Sequence, residues 1–305
     1  MIVRWGLDAL PEVLGTRRAF LLATERWDAP ADVAGRWSDL PTDEHIDSGD
    51  ADVLLALGGG STIDTAKRVS AETGLPLVSV PTTYSGAEWT HYFGVRDADR
   101  RMHGGGGGAH NEAIVYDVEL TVGLPRDVTA GTALNALAHA CEALYVRGRD
   151  PDADPLALEG AELISDALPG VLEELGDRSA RETLLRGAAK AGESLSRSGL
   201  ALAHAMAQTI GGRYRLPHGA LNAICLPPAL RFNAEFVPGA LLGGRAAERA
   251  EELARQGGFA TLGALGVPRE DLSELAAVSA RRPGALANPR PASAADVLQL
   301  LREVL

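Results

Sequence analysis

The sequence predicts an α/β N-terminal domain, built on an open and mostly parallel Rossmann-like sheet, followed by an all-helical C-terminal domain. In the first third of the 305 residues, short apolar runs that end at glycine or proline alternate with a helix-like segment. From about residue 127, long segments rich in alanine and leucine show a helical period instead. We therefore expect two domains, residues 1–126 and 127–305, with a ligand in the cleft between them.

Four apolar runs define the predicted strands. Runs of this length, broken by glycine or proline, suit strands that are buried on both faces of a parallel sheet. A helix over residues 61–72 joins the second and third runs, which implies a right-handed crossover. The predicted strands are residues 19–24, 52–57, 77–80 and 113–116.

Two segments of this half are less regular. The 27 residues between Thr24 and Asp52 leave room for one short helix and a short strand. The five glycines Gly104 to Gly108 are interpreted either as a mobile flap over the cleft or as an unstructured linker.

The second half is expected to be helical throughout, without a convincing strand. Its helical period is clear and is interrupted at the pair Pro227-Pro228. The predicted helices are residues 129–146, 155–175, 179–197, 200–210, 220–233, 271–280 and 292–305.

Charge and composition exclude several classes of protein. The 41 acidic and 29 basic side chains give a formal net charge of −12, which repels nucleic acids and anionic membranes. No apolar run approaches the ~20 residues that span a bilayer, and the N-terminus lacks the features of a signal peptide. Two cysteines, Cys141 and Cys225, make no disulfide framework. We expect a cytoplasmic protein that binds a small molecule.

A glycine loop follows the second predicted strand and precedes the helix. Gly58, Gly59 and Gly60 would let a phosphate approach the backbone, and Ser61 would cap the helix whose first amides face the anion. A plain tight turn is the alternative. Asp64 lies within reach of a ligand hydroxyl, and Lys67 either neutralises phosphate or simply pairs with Asp64.

Further cofactor-binding candidates lie after the other strands. Thr82, Thr83 and Ser85 follow the third strand, at the carboxyl edge where open α/β sheets bind ligands. Glu25 follows the first strand, where a carboxylate would accept from ribose hydroxyls and favour NAD over NADP. A polar turn and a solvated strand end are the respective alternatives.

Three histidines of the helical half have apolar surroundings. His139 lies four residues after Asn135, so the two share one helix face, and His204 and His218 follow on later elements. Three neutral imidazoles that converge would suit a transition metal, although a buried histidine is more often an ordinary core residue. The sequence alone does not show whether these three converge.

Several of these segments together resemble the iron-containing (group III) alcohol dehydrogenase superfamily. They are Gly-Gly-Gly-Ser-x-x-Asp-x-x-Lys (58–67), Pro-Thr-Thr-Tyr-Ser-Gly-Ala-Glu (81–88), Tyr-Asp-Val-Glu-Leu-Thr-Val-Gly-Leu-Pro (116–125), Ala-Leu-Ala-His-Ala-Cys-Glu (136–142) and His-x13-His-Gly (204–219). The resemblance covers nearly the whole chain and is strongest to the maleylacetate reductase branch.

The resemblance implies a fold, an activity and a set of site residues. The expected architecture is a shortened version of the one that dehydroquinate synthase also has, in an NAD(P)H-dependent oxidoreductase of aromatic-compound catabolism that forms homodimers. The family's pyrophosphate loop falls on Gly58 to Ser61 and its nicotinamide-side hydroxyls on Thr82, Thr83 and Ser85. Its metal ligands, for zinc or iron, fall on Asn135, His139, His204 and His218.

Two substitutions depart from the family pattern. The metal-binding aspartate of the alcohol dehydrogenases is Asn135 here, as in the reductase branch, and supplies no charge to a cation. Many relatives have a second histidine where this chain has Gln208, which cannot shuttle a proton. The catalytic residues are therefore expected to be His139, His204 and His218, with a divalent metal doubtful.

The remaining expectations concern the substrate. A dicarboxylate would need arginines, and Arg197, Arg213 and Arg215 lie nearest the last two histidines in sequence. Plain surface solvation of these three side chains is the alternative. Three other functions stay open: a metal-dependent alcohol or aldehyde dehydrogenase, a cyclase resembling dehydroquinate synthase, and a non-redox ligand-binding relative. Cofactor oxidation, chelator sensitivity and NAD binding distinguish them.

Overall fold

The computed structural model describes all 305 residues, which form two compact units, Met1–Gly123 and Leu124–Leu305. The first unit contains an α/β sheet and the second contains only helices, as the sequence predicts. The division lies three residues before the expected boundary at residue 126. None of the helices is both long enough and apolar enough to cross a membrane.

The first unit is built on one six-stranded sheet in which every pair of neighbouring strands is parallel. The strand order is β1-β8-β5-β4-β2-β3. These strands are β1 (Ile2–Trp5), β2 (Ala19–Leu22), β3 (Val33–Trp37), β4 (Val53–Gly58), β5 (Pro76–Pro81) and β8 (His110–Tyr116), and the helices of this unit are α1 (Leu10–Leu14), α2 (Gly60–Thr73) and α3 (Glu119–Val122).

Alternating side chains of the central strands fill two separate cores, one on each side of the sheet. Leu21, Leu55 and Val78 belong to one core, while Leu22 and Leu54 belong to the other, together with apolar residues of α2. Burial on both faces explains why these strands read as continuous apolar runs in the sequence.

The edges of the unit differ from the expectation. Strands β1 and β3 were not assigned by residue, and the segment between β2 and β4 contains β3 but no helix. The glycine run is not an unstructured linker: β7 (Met102–Gly106) pairs antiparallel with β6 (Phe93–Arg96) and includes its first three glycines. Backbone hydrogen bonds to a partner strand can order glycines that have no side chain to pack.

The second unit consists of nine helices. It is held together by long helices whose apolar faces pack on one another, with α4 in contact with five others. The helices are α4 (Arg126–Ala143), α5 (Asp154–Glu173), α6 (Arg178–Ser198), α7 (Leu202–Tyr214), α8 (His218–Phe232), α9 (Ala246–Gln256), α10 (Leu272–Ser279), α11 (Pro283–Leu286) and α12 (Ala294–Glu303).

Two local expectations about helices are wrong. Helix α8 continues through Pro227 and Pro228, because both prolines lie in a buried stretch where packing outweighs the loss of two N–H donors. Helix α2 begins at Gly60 with Gly59 as its N-cap residue, so Ser61 lies inside the first turn and does not cap the helix.

Candidate active site

The glycine loop lies at the carboxyl end of β4, where the chain turns into α2. The first α-helical hydrogen bond runs from the Ile63 amide to the Gly59 carbonyl over 3.1 Å. The amides of Gly60, Ser61 and Thr62 therefore precede the intrahelical ladder, at the positive end of the helix dipole. This arrangement suits the pyrophosphate of a dinucleotide.

The segment after β5 lies directly against this loop. The Thr82 amide donates to the Gly58 carbonyl over 3.0 Å. A Cβ atom added to Gly59 would lie 3.0 Å from Cγ2 of Thr83, and one added to Gly60 would lie 3.1 Å from Oγ of Ser85. The structure thus brings the predicted glycines and hydroxyls together in one place, where any larger residue would reduce the space.

Two hydroxyls of this segment are buried without a hydrogen-bond partner, those of Thr82 and Thr83. A buried hydroxyl without a partner costs free energy, so its presence indicates a group that supplies the missing bond. The close-packed glycines, the free amides and these hydroxyls fit an NAD(P) cofactor.

The remaining cofactor-binding candidates lie in different settings. Asp64 pairs with Lys67 over 2.8 Å and accepts the Gly94 amide over 3.2 Å, so it connects α2 to β6. The buried ammonium of Lys67 also donates to the carbonyls of Ala87 and Tyr92, so its partners are all protein groups. Glu25 is exposed just beyond β2 without a partner.

The buried carboxyl group of Glu88 lies close to this segment in the chain and was not among the predicted site residues. Oε1 of Glu88 accepts the Tyr116 hydroxyl over 2.7 Å, and that hydroxyl accepts the indole N–H of Trp89 over 2.8 Å. Burial raises the pKa of Glu88, while the Tyr116 hydrogen bond and the charge of Lys67 oppose the rise. The burial of Glu88 has no signal in the sequence, because acidic residues at turns are normally solvated.

The three histidines of the second unit converge. His139 of α4 stacks on His204 of α7 with ring centroids 4.8 Å apart, and His204 lies 5.7 Å from His218 at the start of α8. His139 and His204 are buried. The question that the sequence left open is thereby answered, since three imidazoles from three helices form one cluster, here called the histidine cluster.

Two asparagine amides fix the protonation pattern of the cluster. Asn222 donates to Oδ1 of Asn135 over 2.6 Å and to Nε2 of His218 over 3.0 Å. Asn135 in turn donates to Nε2 of His139 over 3.3 Å. Because an amide nitrogen only donates, both of these ring nitrogens act as acceptors, and the ring proton of neutral His139 is on Nδ1. Asn222 was missed, although its position four residues after His218 is a usable signal.

The buried carboxylate of Glu142 orients His204. Oε2 of Glu142, which has no exposed surface, accepts from Nδ1 of His204 over 2.7 Å and from the Ala201 amide over 2.8 Å. Its Oε1 accepts the Ala203 amide over 2.6 Å. His204 therefore has its proton on Nδ1, and its buried Nε2 has no partner in the structure.

The electrostatic setting separates His139 from the other two residues. Burial, together with the neighbouring His204 and His218, holds the pKa of His139 well below its ordinary value of 6.5. His139 is therefore neutral at neutral pH and does not act as an imidazolium.

The donor atoms of the cluster do not fit a divalent metal ion. Nε2 of His139 and Nε2 of His218 each accept an amide N–H, and Asn135 brings no negative charge. No three histidine, cysteine, aspartate or glutamate side chains are arranged to hold a metal. The expected metal ligands Asn135, His139, His204 and His218 thus form a hydrogen-bonded cluster.

Two of the three arginines expected near the substrate form ion pairs with carboxylates of the protein. Arg197 pairs with Asp150 over 2.7 Å, and Arg213 pairs with both Asp271 and Glu274, over 3.2 and 2.6 Å. Arg215 is exposed and has no ion-pair partner.

Comparisons with known proteins show the family of the chain. The model of the "Fe-containing alcohol dehydrogenase family, C-terminal" matches residues 129–305, and that of "Iron-containing alcohol dehydrogenase" matches residues 42–111. The chain is 36% identical to the maleylacetate reductase of Rhizobium sp. (strain MTP-10005) over 302 residues, which are 97% of this chain and 84% of the relative. It is 37% identical to the Burkholderia cepacia maleylacetate reductase over 83% of this chain and 73% of the relative.

Solved structures give the same result. A maleylacetate reductase from Agrobacterium tumefaciens superposes with a TM-score of 0.86 at 30% identity, over all of this chain and 95% of that one. An iron-containing alcohol dehydrogenase from Corynebacterium glutamicum superposes with a TM-score of 0.89 at 29% identity, over all of this chain and 94% of that one. The chain belongs to the iron-containing alcohol dehydrogenase family.

Proposed function

We propose that the protein is an NAD(P)H-dependent reductase of maleylacetate or of a closely similar unsaturated oxo-acid. Several maleylacetate reductases that are 33–37% identical to the chain support this substrate class. The observation that carries the proposal is the contact between Glu142 and Nδ1 of His204, which leaves Nε2 of the same ring free to exchange a proton.

The proposed reaction needs a hydride, a group that stabilises negative charge and a proton. NAD(P)H, when bound, would supply the hydride that one carbon of the activated alkene receives. The 4-keto group of the substrate then carries the developing charge as an enolate, which a positioned hydrogen-bond donor stabilises. Protonation of the other alkene carbon completes the reduction.

We assign the proton-handling role to His204. A proton on its Nε2 makes the ring an imidazolium, and the Glu142 carboxylate on Nδ1 is the counter-charge. That Nε2–H donates to the enolate oxygen and later supplies the proton. His139 stays neutral and stacks against the ring, and His218 completes the cluster.

Binding of the cofactor is assigned to the first unit. The Gly60, Ser61 and Thr62 amides are proposed to bind the pyrophosphate, and the hydroxyls of Thr82 and Thr83 the nicotinamide half. We propose NAD over NADP, because the exposed carboxylate of Glu25 beyond β2 would repel a 2′-phosphate. Gly59 and Gly60 are required by their close contacts, whereas Asp64 is proposed only as a second-choice hydroxyl acceptor because Lys67 already pairs with it.

The setting of the enzyme is also proposed from the family resemblance. We infer a cytoplasmic homodimer that acts in the catabolism of aromatic compounds. The two buried cysteines, both free thiols, are consistent with a reducing compartment.

One assay tests the proposed function. NADH and NADPH oxidation is followed with maleylacetate and with a panel of aldehydes and ketones, with and without a chelator. The proposal expects oxidation with maleylacetate, faster with NADH, and insensitive to the chelator. Turnover of alcohols or aldehydes that the chelator abolishes would indicate the metal-dependent alternative, and NAD binding without any turnover a non-redox relative.

A further inference from the structure

A dicarboxylate substrate needs a cationic side chain that is not already paired with a carboxylate of the protein. Among the three arginines expected from the sequence, Arg197 and Arg213 are neutralised by carboxylates. Only Arg215 remains, and its side chain is exposed to water, where an ion pair contributes little.

A fourth arginine, Arg282, is both partly buried and free of a carboxylate partner. Arg282 is half-buried immediately before α11 and has no carboxylate within ion-pair distance. Its Nε donates to the Thr209 hydroxyl over 2.8 Å, and one terminal nitrogen lies 3.5 Å from the Gln208 carbonyl. Burial lowers the pKa of Arg282 and no acidic neighbour raises it, although an arginine stays charged at neutral pH.

Arg282 is fixed beside the helix that carries His204. Its contacts are the Thr209 hydroxyl and the backbone carbonyl of Gln208, which lie about one turn beyond His204 along α7. Gly284 allows a close approach further along, since a Cβ atom there would lie 2.5 Å from the Ala201 carbonyl oxygen and 3.6 Å from the Ala205 Cβ. The segment from Arg282 to Gly284 therefore runs along α7 past the turn of His204.

We propose that Arg282 is a specificity-determining residue that binds a carboxylate of the substrate. This inference rests on the proposed function and adds to it the recognition of the second acidic group. Two donors of the guanidinium are held by Thr209 and Gln208, which orients the planar fork and leaves Nη1 for the ligand. A carboxylate would supply the charge that Arg282 lacks, in a place where burial strengthens the pair.

The test compares two substrates that differ in one carboxylate. Maleylacetate has two, and 4-oxopent-2-enoate is the same enone without the terminal carboxylate. For Arg282→Leu we expect KM for maleylacetate to rise about 10- to 100-fold, the effect of losing a charge-assisted hydrogen bond. KM for 4-oxopent-2-enoate, kcat for maleylacetate and the Kd of NADH should each change less than about threefold.

Two further variants make the test specific. Arg281→Leu removes a neighbouring exposed arginine and should leave KM for both substrates unchanged. Arg282→Lys keeps the charge without the fork, and should give a KM for maleylacetate between those of the wild type and Arg282→Leu. Because Arg282→Lys retains a cation at this position, it also serves if Arg282→Leu fails to fold.

The outcomes separate the two proposals. If the wild type oxidises cofactor with maleylacetate but Arg282→Leu and Arg281→Leu have the same KM, the assignment of Arg282 is overturned and the proposed function stands. An equal rise in KM for both substrates in Arg282→Leu also overturns the assignment. A wild type that oxidises no cofactor with maleylacetate overturns both proposals.

Discussion

Glu142 of α4 binds Nδ1 of His204 on α7 over 2.7 Å, and the same carboxylate caps the first turn of α7. The N-cap residue of α7, Ala201, has no side chain that could accept a hydrogen bond. One buried glutamate therefore stabilises the start of this helix, opposes its positive dipole end and sets the protonated nitrogen of a candidate catalytic residue.

Replacing this carboxylate should affect both stability and activity. Glu142→Gln turns an NH2 group toward backbone N–H donors and leaves at least one of them without an acceptor. We expect a loss of about 2–4 kcal/mol in the free energy of unfolding, measured by urea denaturation, and a lower kcat.

The control is Glu162→Gln, which changes an exposed glutamate of α5 in the same way and should alter stability by less than about 0.5 kcal/mol. Equal stability of the two variants would mean that the Glu142 carboxylate does not hold α7 as described.

The space beside the glycine loop should limit cofactor binding. In Gly59→Ala the new methyl group lies 3.0 Å from Cγ2 of Thr83 and must displace that side chain from its position against the glycine loop. We expect the Kd of NADH, measured by calorimetry, to rise about tenfold. This change corresponds to the loss of one ordinary hydrogen bond or close contact.

Gly123→Ala is the matched variant for this prediction. No atom lies within 4 Å of a Cβ added there, and the backbone φ of −83° accepts any residue. Its Kd for NADH should equal that of the wild type. An unchanged Kd in Gly59→Ala would contradict the assignment of this loop to the cofactor.

The buried carboxyl group of Glu88 should make stability depend on pH. Its pKa is raised above 4.5 in the folded protein, so from that pH upward the folded state retains a proton that the unfolded state has released. Stability conferred by that proton is complete below pH 4.5 and is lost as the pH rises toward the folded-state pKa.

Glu88→Gln mimics the protonated form and keeps an acceptor for the Tyr116 hydroxyl. The variant should unfold at a higher temperature than the wild type at pH 7 to 8, by several degrees for ~1 kcal/mol or more, and at the same temperature near pH 4. A difference between the two proteins that does not vary over this pH range would show that the carboxyl group is not desolvated in the folded state.

The sheet shows which elements can be predicted from sequence. Strand β4 is buried on both faces, so its apolar run was sufficient to predict it. The edge strands β1 and β3 are short and contain no buried residue, and β7 is mostly glycine. Their pairing therefore depends on neighbouring strands and not on their own composition.

The candidate site shows the same division. His139, His204 and His218 were identified because polar residues in apolar helices are unusual. Glu142 and Asn222 look like ordinary helix residues in sequence, and only the approach of α7 and α8 to α4 gives them buried partners. The doubt about a metal ion that Asn135 raised stays a prediction, and the amide network between the asparagines and the histidines was not foreseen.

The central claim is that His204 carries the acid–base chemistry of a reductase without a metal requirement. The most direct measurement is kcat for NADH oxidation with saturating maleylacetate, in the presence of a chelator, for the wild type, His204→Gln and the control His45→Gln. His45 is exposed in the first unit and belongs to no part of the site.

We expect the wild type and His45→Gln to keep full activity, and kcat of His204→Gln to fall about 10²- to 10⁴-fold with an unchanged Kd for NADH. A His204→Gln variant with the kcat of the wild type, or a wild type inactivated by the chelator, would contradict the claim.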